Sequence, residues 1–177
     1  MKKFQLLVCT LFIAFTINAQ SGTEPQPAYL RFPTVPPIKI LKVDSSTYFT
    51  KDNLSKKKPT IVMVFNPGCE HCQHETEEII KNMDELKNVQ IVMATPQSFT
   101  EMKDFYKQYK LANYSNIIVG RDEHFTLPSF YSIRSLPFIA FYDKKQNLIS
   151  AHEGSLPIPK MLEEIKKDAP KAEEKTQ

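Results

Sequence analysis

A run of apolar and β-branched residues, Thr60 to Phe65 (TIVMVF), stops at Asn66-Pro67-Gly68 and leads at once into Cys69-Glu70-His71-Cys72. An uninterrupted apolar run of that length reads as a strand covered on both faces. Beyond the break, Ile79, Ile80, Met83 and Leu86 recur at helical spacing, which predicts a helix of about seventeen residues from Cys69. A central buried strand must therefore feed directly into a helix whose first turn carries two cysteines. Few folds accommodate that junction.

The remaining pattern builds outward from it. Ile38 to Val43 (IKILKV) has strand chemistry, and the following DSSTYF continues with turn and strand residues. Lys56, Lys57 and Lys58 make a solvated loop. Val89 to Ala94 is a second buried-type strand, and Ser98 with Glu101 forms an S-x-x-E capping box that opens a helix to about Tyr109. Asn116 to Val119 is a short strand, and Glu123 to Ser135 reads as irregular and aromatic-rich. Phe125, Phe130 and Tyr131 within it serve either core packing or a groove for a partner. Phe138 to Tyr142 is a third core strand, a turn spans Asp143 to Asn147, and Leu148 to His152 returns antiparallel. Pro157 or Pro159 starts a last helix, Lys160 to Lys167. The class is α/β: a parallel pair joined by a helical crossover, closed by an antiparallel hairpin, giving a mixed sheet with helices on both faces.

The ends read differently. Residues 1–19 combine Lys2 and Lys3, an apolar stretch from Leu6 to Ile17 and small Ala19, the layout of a cleaved secretory signal cut near Ala19. Twelve helical residues reach roughly 18 Å, short of a hydrocarbon core of about 30 Å, so a permanent span is not expected. Residues 20–37 hold five prolines and read as an extended lead-in, 38–168 as one domain, and 169–177 as a disordered charged tail. The formal charge is +3; without Lys2 and Lys3 the balance is 21 basic against 20 acidic residues, too even for a nucleic-acid binder. The expected location is periplasmic or secreted.

Loss of Cys9 with the signal leaves Cys69 and Cys72. A chain of this size buries roughly 70% of its unfolded surface and needs no staple. A disulfide closing so short a loop constrains the unfolded chain by only about 2 kcal/mol, against about 4.7 for a loop of 100 residues. A metal site could draw on Cys69, Cys72, His71 and His74, but structural zinc usually takes two separated ligand pairs, and His124 and His152 stand alone. A dithiol redox centre fits better, because Cys69 at a helix start meets unsatisfied amides and a dipole that favour an anion. Moving a thiol pKa from about 8.5 to about 7 takes roughly 2 kcal/mol, much of which a helix N-terminus supplies, and a cationic His71 could add to it. Glu75 lies one turn beyond Cys72, either as a solvated surface glutamate or close enough to influence its proton.

FNPGCEHC after a buried strand, Pro137 directly before SLPFIAFY's strand, and the closing hairpin and helix resemble the thioredoxin superfamily from about Thr60 to Ile165. Cys69-x-x-Cys72-x-x-Glu75 resembles its extracytoplasmic TlpA/ResA-like thiol–disulfide oxidoreductases, which also carry an N-terminal β extension. The resemblance implies a thioredoxin-like fold and a reductase of client protein disulfides. Cys69 would be the nucleophile, Cys72 the resolving thiol of a Cys69–Cys72 disulfide, and Glu75 the proton handler. Pro137 would follow a cis bond opposite the dithiol, with Leu136 touching substrate, while Glu70 and His71 tune the potential. It further implies disulfide-containing clients and a membrane thiol donor; no cofactor, metal or nucleic acid is expected, and a monomer is. Two alternatives share the same residues: an oxidase or isomerase, favoured by His71, and a metal-binding or metal-delivery module using Cys69, Cys72 and His74. This chain departs from thioredoxin where Met63 replaces a buried acid six residues before the first cysteine, which shifts proton handling to Glu75, a water or His71.

Overall fold

A computed structural model describes residues 26–167. The chain runs through α1 (Ala28–Arg31), β1 (Lys39–Lys42), β2 (Tyr48–Thr50), β3 (Thr60–Val64), α2 (Glu70–Lys81) and α3 (Met83–Leu86). It continues with β4 (Gln90–Thr95), α4 (Phe99–Gln108), β5 (Ile117–Arg121), α5 (Thr126–Tyr131), β6 (Phe138–Tyr142), β7 (Leu148–Glu153) and α6 (Ile158–Lys166). The strands form one mixed sheet in the order β2-β1-β5-β4-β3-β6-β7. β3 runs parallel to β4 and β4 parallel to β5, whereas β6, β7, β1 and β2 join antiparallel.

Every residue of β3 is buried, as the apolar run requires of a strand covered on both sides. Successive side chains point to opposite faces. Ile61 and Met63 pack with Ile79 of α2, Met102 and Phe105 of α4 and Met161 of α6. Val62 and Val64 pack with Leu127 and Tyr131 of α5 and with Ile40 of β1. Helices thus lie on both faces, and the C-terminal end of β3 opens where α2 begins. β1 closes onto β5 at Gly120, where a Cβ would stand 2.8 Å from Ile40 Cγ1.

Several elements differ from the sequence expectation, each for a local reason. The lead-in is not wholly extended: a helical turn forms at Ala28–Arg31, started by Pro27, whose carbonyl accepts Leu30 N at 3.1 Å. Tyr29 on that turn packs edge-on against Phe138 and beside Tyr131, the apolar contact that holds it. The helix after Cys69 ends at Lys81 because Asn82 folds back, its Nδ2 donating to Glu78 O at 2.8 Å, and a single turn, α3, follows. The segment expected to be irregular contains α5. Buried Asp122 organises it by accepting from Thr126 N at 3.1 Å and Leu127 N at 2.7 Å. The last helix starts at Ile158 rather than Lys160, with Pro157 as its N-cap. The signal at 1–19 and the tail at 169–177 lie outside the described residues. Among the described residues no helix is long and apolar enough to cross a membrane.

Candidate active site

The turn after β3 is built from its own sequence. Asn66 Oδ1 accepts Gly68 N at 2.8 Å and Asn66 O accepts Cys69 N at 3.0 Å, the self-bonding that suits Asn to turns. Gln73 Nε2 ties the loop to the helix by donating to Pro67 O at 2.8 Å. Cys69 is the N-cap of α2: its backbone is extended (φ −87°, ψ 118°), and its carbonyl accepts the first helical bond from Gln73 N at 3.0 Å. A twelve-residue helix therefore begins immediately after Cys69, with the positive end of its dipole at that residue.

Across from it, Leu136–Pro137 is a cis peptide bond. Cys69 Sγ faces Leu136 O at 3.9 Å, at the outer limit of a thiol hydrogen bond, and Pro137 O accepts Gly154 N at 2.8 Å. Beside Leu136 lies a cavity of about 250 Å³ lined by Val64, Pro96, Gln97, Phe125 and Pro128 among others. The three aromatics of this region separate. Phe125 is 56% exposed and lines that cavity, in a left-handed conformation (φ 55°) just before α5. Tyr131 is buried, its hydroxyl 2.7 Å from that of Tyr142, and Phe130 stays half-buried beside Tyr131.

The two thiols occupy unlike environments. Cys69 is partly exposed, whereas Cys72 is fully buried among the residues packed around Met63 and Phe65. Burial pushes the Cys72 thiol up to about 12, with the Cys69 thiol and the Glu75 charge adding to the rise and the Asn66 backbone opposing it.

Glu75 is not the solvated glutamate that a surface helix would present. It is 2% exposed; Leu156 N donates to Oε2 at 2.9 Å, and Oε1 has no partner. Burial raises its carboxyl pKa above the usual range, while Leu156 N–H, the Ser155 hydroxyl and His74 pull it back down. Glu70 and His71 are exposed, and it is the His71 carbonyl that accepts Ser155 Oγ, at 3.3 Å. Among the described residues no three His, Cys, Asp or Glu side chains converge to hold an ion, the arrangement the metal-module alternative would draw on. Sequence reading missed Ser155 and Leu156, which clamp Glu75 from a distant segment. Its only trace there is the Gly154-Ser155-Leu156-Pro157 turn chemistry.

A family model described as a thioredoxin-like domain matches residues 50–169. Among solved structures, Mycobacterium tuberculosis dsbF, seen in mixed oxidized and reduced forms, is similar at 18% identity and a TM-score of 0.62, covering 78% of this chain and 96% of that one. A secreted M. tuberculosis disulfide oxidoreductase homologous to E. coli DsbE is similar at 16% identity and a TM-score of 0.60, covering 72% and 93%. StoA from Bacillus subtilis is similar at 18% identity and a TM-score of 0.58, covering 75% and 98%. No significant match is found among curated protein sequences. At these identities the neighbours establish the fold, one shared with thiol–disulfide oxidoreductases.

Proposed function

The chain belongs to the thioredoxin-like domain family, and from that premise we propose that it is an extracytoplasmic thiol–disulfide oxidoreductase that reduces disulfides of client proteins. The carrying observation is the asymmetry of the dithiol. One sulfur is reachable at a helix N-terminus and faces the Leu136 carbonyl; the other is sealed in the core with its proton held tightly. Such a pair works in sequence. The Cys69 thiolate attacks a client disulfide, breaking its S–S bond and forming a mixed disulfide while one client thiolate leaves. Cys72 then loses its proton and attacks Cys69 Sγ. The client leaves as its second thiol, and Cys69–Cys72 is left oxidised, two electrons having passed to the client.

The groove beside Leu136 supports a client backbone passing the cis bond, with Phe125 flanking it. Glu75, the buried carboxyl nearest the sequence position of Cys72, supports the role of proton acceptor. Export is supported by the MKKFQLLVCTLFIAFTINAQ leader and by the secreted M. tuberculosis relative. Re-reduction there calls for a thiol donor in the membrane. Cys69→Ser tests the assignment: turnover of a disulfide substrate is lost in the variant, and retained turnover refutes it. The midpoint potential sets the direction, near −270 mV for a thioredoxin-like reductant and near −120 mV for a strong oxidant.

A further inference from the structure

The end of the sheet away from the dithiol carries charge that nothing in the fold uses. Thr60 opens β3 opposite Tyr142, which closes β6. The loop before Thr60 and the turn after Tyr142 therefore lie at that end, separated from Cys69 and the cis bond by the length of β3, about 17 Å. There Lys57 and Lys58 meet Lys144 of the turn and Lys166 of α6 around a hollow of about 540 Å³, with Leu162 and Ile165 between them. An adjoining hollow of about 360 Å³ shares Lys144, Ile165 and Lys166 and adds Lys145 and Lys167. Three segments far apart in sequence thus bring their lysines to one place. The neighbouring acids do not neutralise them. Lys167 pairs with Glu164. Asp143 is spent on its own turn: Oδ1 accepts Lys145 N and Asn147 N, both at 2.8 Å, and Oδ2 accepts Asn147 Nδ2 at 3.0 Å. Among the described residues no ion pair or hydrogen bond engages the ammonium groups of Lys57, Lys58, Lys144, Lys145 or Lys166, which leaves five cations against one carboxylate, Glu85. Like charges gathered in this way oppose folding through their repulsion.

We propose that this lysine end is a docking surface for anionic lipid, on which the protein rests peripherally with Cys69 turned away from the membrane. The inference goes beyond the redox reading and does not depend on it. The residue types favour lipid over an acidic protein. Specific protein interfaces are enriched in arginine and aromatic residues and depleted in lysine. Among the described residues neither hollow is lined by an arginine or an aromatic ring. An ammonium on a flexible four-carbon stem is a point charge without a fixed fork. Several of them on exposed turns can meet a plane of phosphates in any register. No described helix is long and apolar enough to cross a bilayer, so attachment through this end is to the surface. The attraction also sets the orientation. It decays within a Debye length, about 8 Å at physiological salt, so the lysines themselves must lie against the headgroups. Cys69 and the groove beside Leu136 then project from the membrane by at least the length of β3, open to partners in solution.

Flotation of the full-length protein with vesicles of phosphatidylcholine alone, or of an equimolar mixture with phosphatidylglycerol, tests the surface. The leader is common to wild type and variants, so differences between them report the lysine end. Wild type binds the mixed vesicles more tightly than the neutral ones, and the preference shrinks as sodium chloride is raised. Lys57→Gln with Lys144→Gln weakens binding to the mixed vesicles by about tenfold or more. Lys42→Gln with Lys103→Gln, the same loss of charge made elsewhere on the surface, changes it by less than about twofold. Iodoacetamide labels Cys69 at one rate on vesicles and in solution. Turnover of a soluble disulfide substrate is unchanged in the Lys57 and Lys144 pair, so the surface and the dithiol can fail separately. Equal binding to both kinds of vesicle overturns the proposal and leaves the lysines to an acidic protein. Equal weakening by both pairs of substitutions overturns it as well, since net charge alone would then account for the binding. Release by inorganic phosphate at constant ionic strength would mean a pocket for free phosphate, and protection of Cys69 on vesicles the opposite orientation; either result refutes the docking surface.

Discussion

Glu75→Gln gives a prediction in which stability and activity move in opposite directions. The wild-type carboxylate keeps one oxygen bonded to Leu156 N and buries the other with no partner. Leaving a buried polar atom unpaired costs about 1–3 kcal/mol, more when it is charged. Gln retains an acceptor for Leu156 N and replaces the charged orphan with a neutral amide. A gain of about 1–2 kcal/mol at pH 8 follows, or about 2–8 °C in Tm for a domain of this size. The pH dependence fixes the cause. Burial raises the native carboxyl pKa, so between the unfolded value near 4.3 and the higher native value the folded state binds more protons than the unfolded chain. Wild-type stability therefore falls as pH rises through that window and levels off above it, whereas Gln does not titrate. The variant's advantage is absent near pH 4 and reaches its plateau above the native value. Thermal denaturation across pH 4–8, run on the reduced proteins, reads it directly. A difference that stays constant with pH, or a wild-type protein more stable at pH 8, refutes the reasoning. In the same variant the resolving step slows by about a hundredfold, because the acceptor for the Cys72 proton is gone.

The other predictions test neighbouring parts of the argument. In the native reduced protein at pH 8, iodoacetamide modifies Cys69 and spares Cys72, whose thiol is buried and pushed up to about 12; peptide mass spectrometry of the labelled protein checks this, and equal labelling of both contradicts the asymmetry. Gly120→Ala places a Cβ within 2.8–2.9 Å of three Ile40 side-chain atoms, so urea denaturation shows a loss of about 1–3 kcal/mol from overpacking between β5 and β1.

The framework was legible because its signals are local. Thr60–Val64 and Phe138–Tyr142 announce buried strands by composition, and the Ser98–Glu101 capping box sits where sequence puts it, with Glu101 N donating to Ser98 Oγ at 3.2 Å. The dithiol's place at the strand-to-helix turn was equally local. What escaped depends on partners distant in sequence. α1 exists because Tyr29 finds Phe138 and Tyr131, and Glu75 is buried because Ser155 and Leu156 close over it from 80 residues away. A helical wheel alone gives Glu75 the look of an exposed residue. α5 escaped for an intermediate reason: the carboxylate that holds its first amides, Asp122, precedes the helix by four residues, and its N-cap, Phe125, is in a left-handed conformation.

The location of the buried acid follows from how β3 is packed. Met63, six residues before Cys69, is fully buried opposite Ile139 on β6 and beside Met93 on β4, inside the cluster that also encloses Cys72. A carboxyl at that position would be sealed from both faces and would need its charge paired there, at a cost of several kcal/mol. Carrying the acid on α2 avoids that. There the carboxyl gains a backbone donor, Leu156 N, while Met63 keeps the strand apolar. Under the proposed function the dry core around Met63 holds Cys72 protonated, and the acid that takes its proton stands on α2 rather than on the strand. Moving the acid back, as in Met63→Asp with Glu75→Gln, would put a carboxyl into the apolar cluster that encloses Cys72 and take it away from Leu156 N. The expected result is a protein destabilised at neutral pH, read by urea denaturation against the wild type.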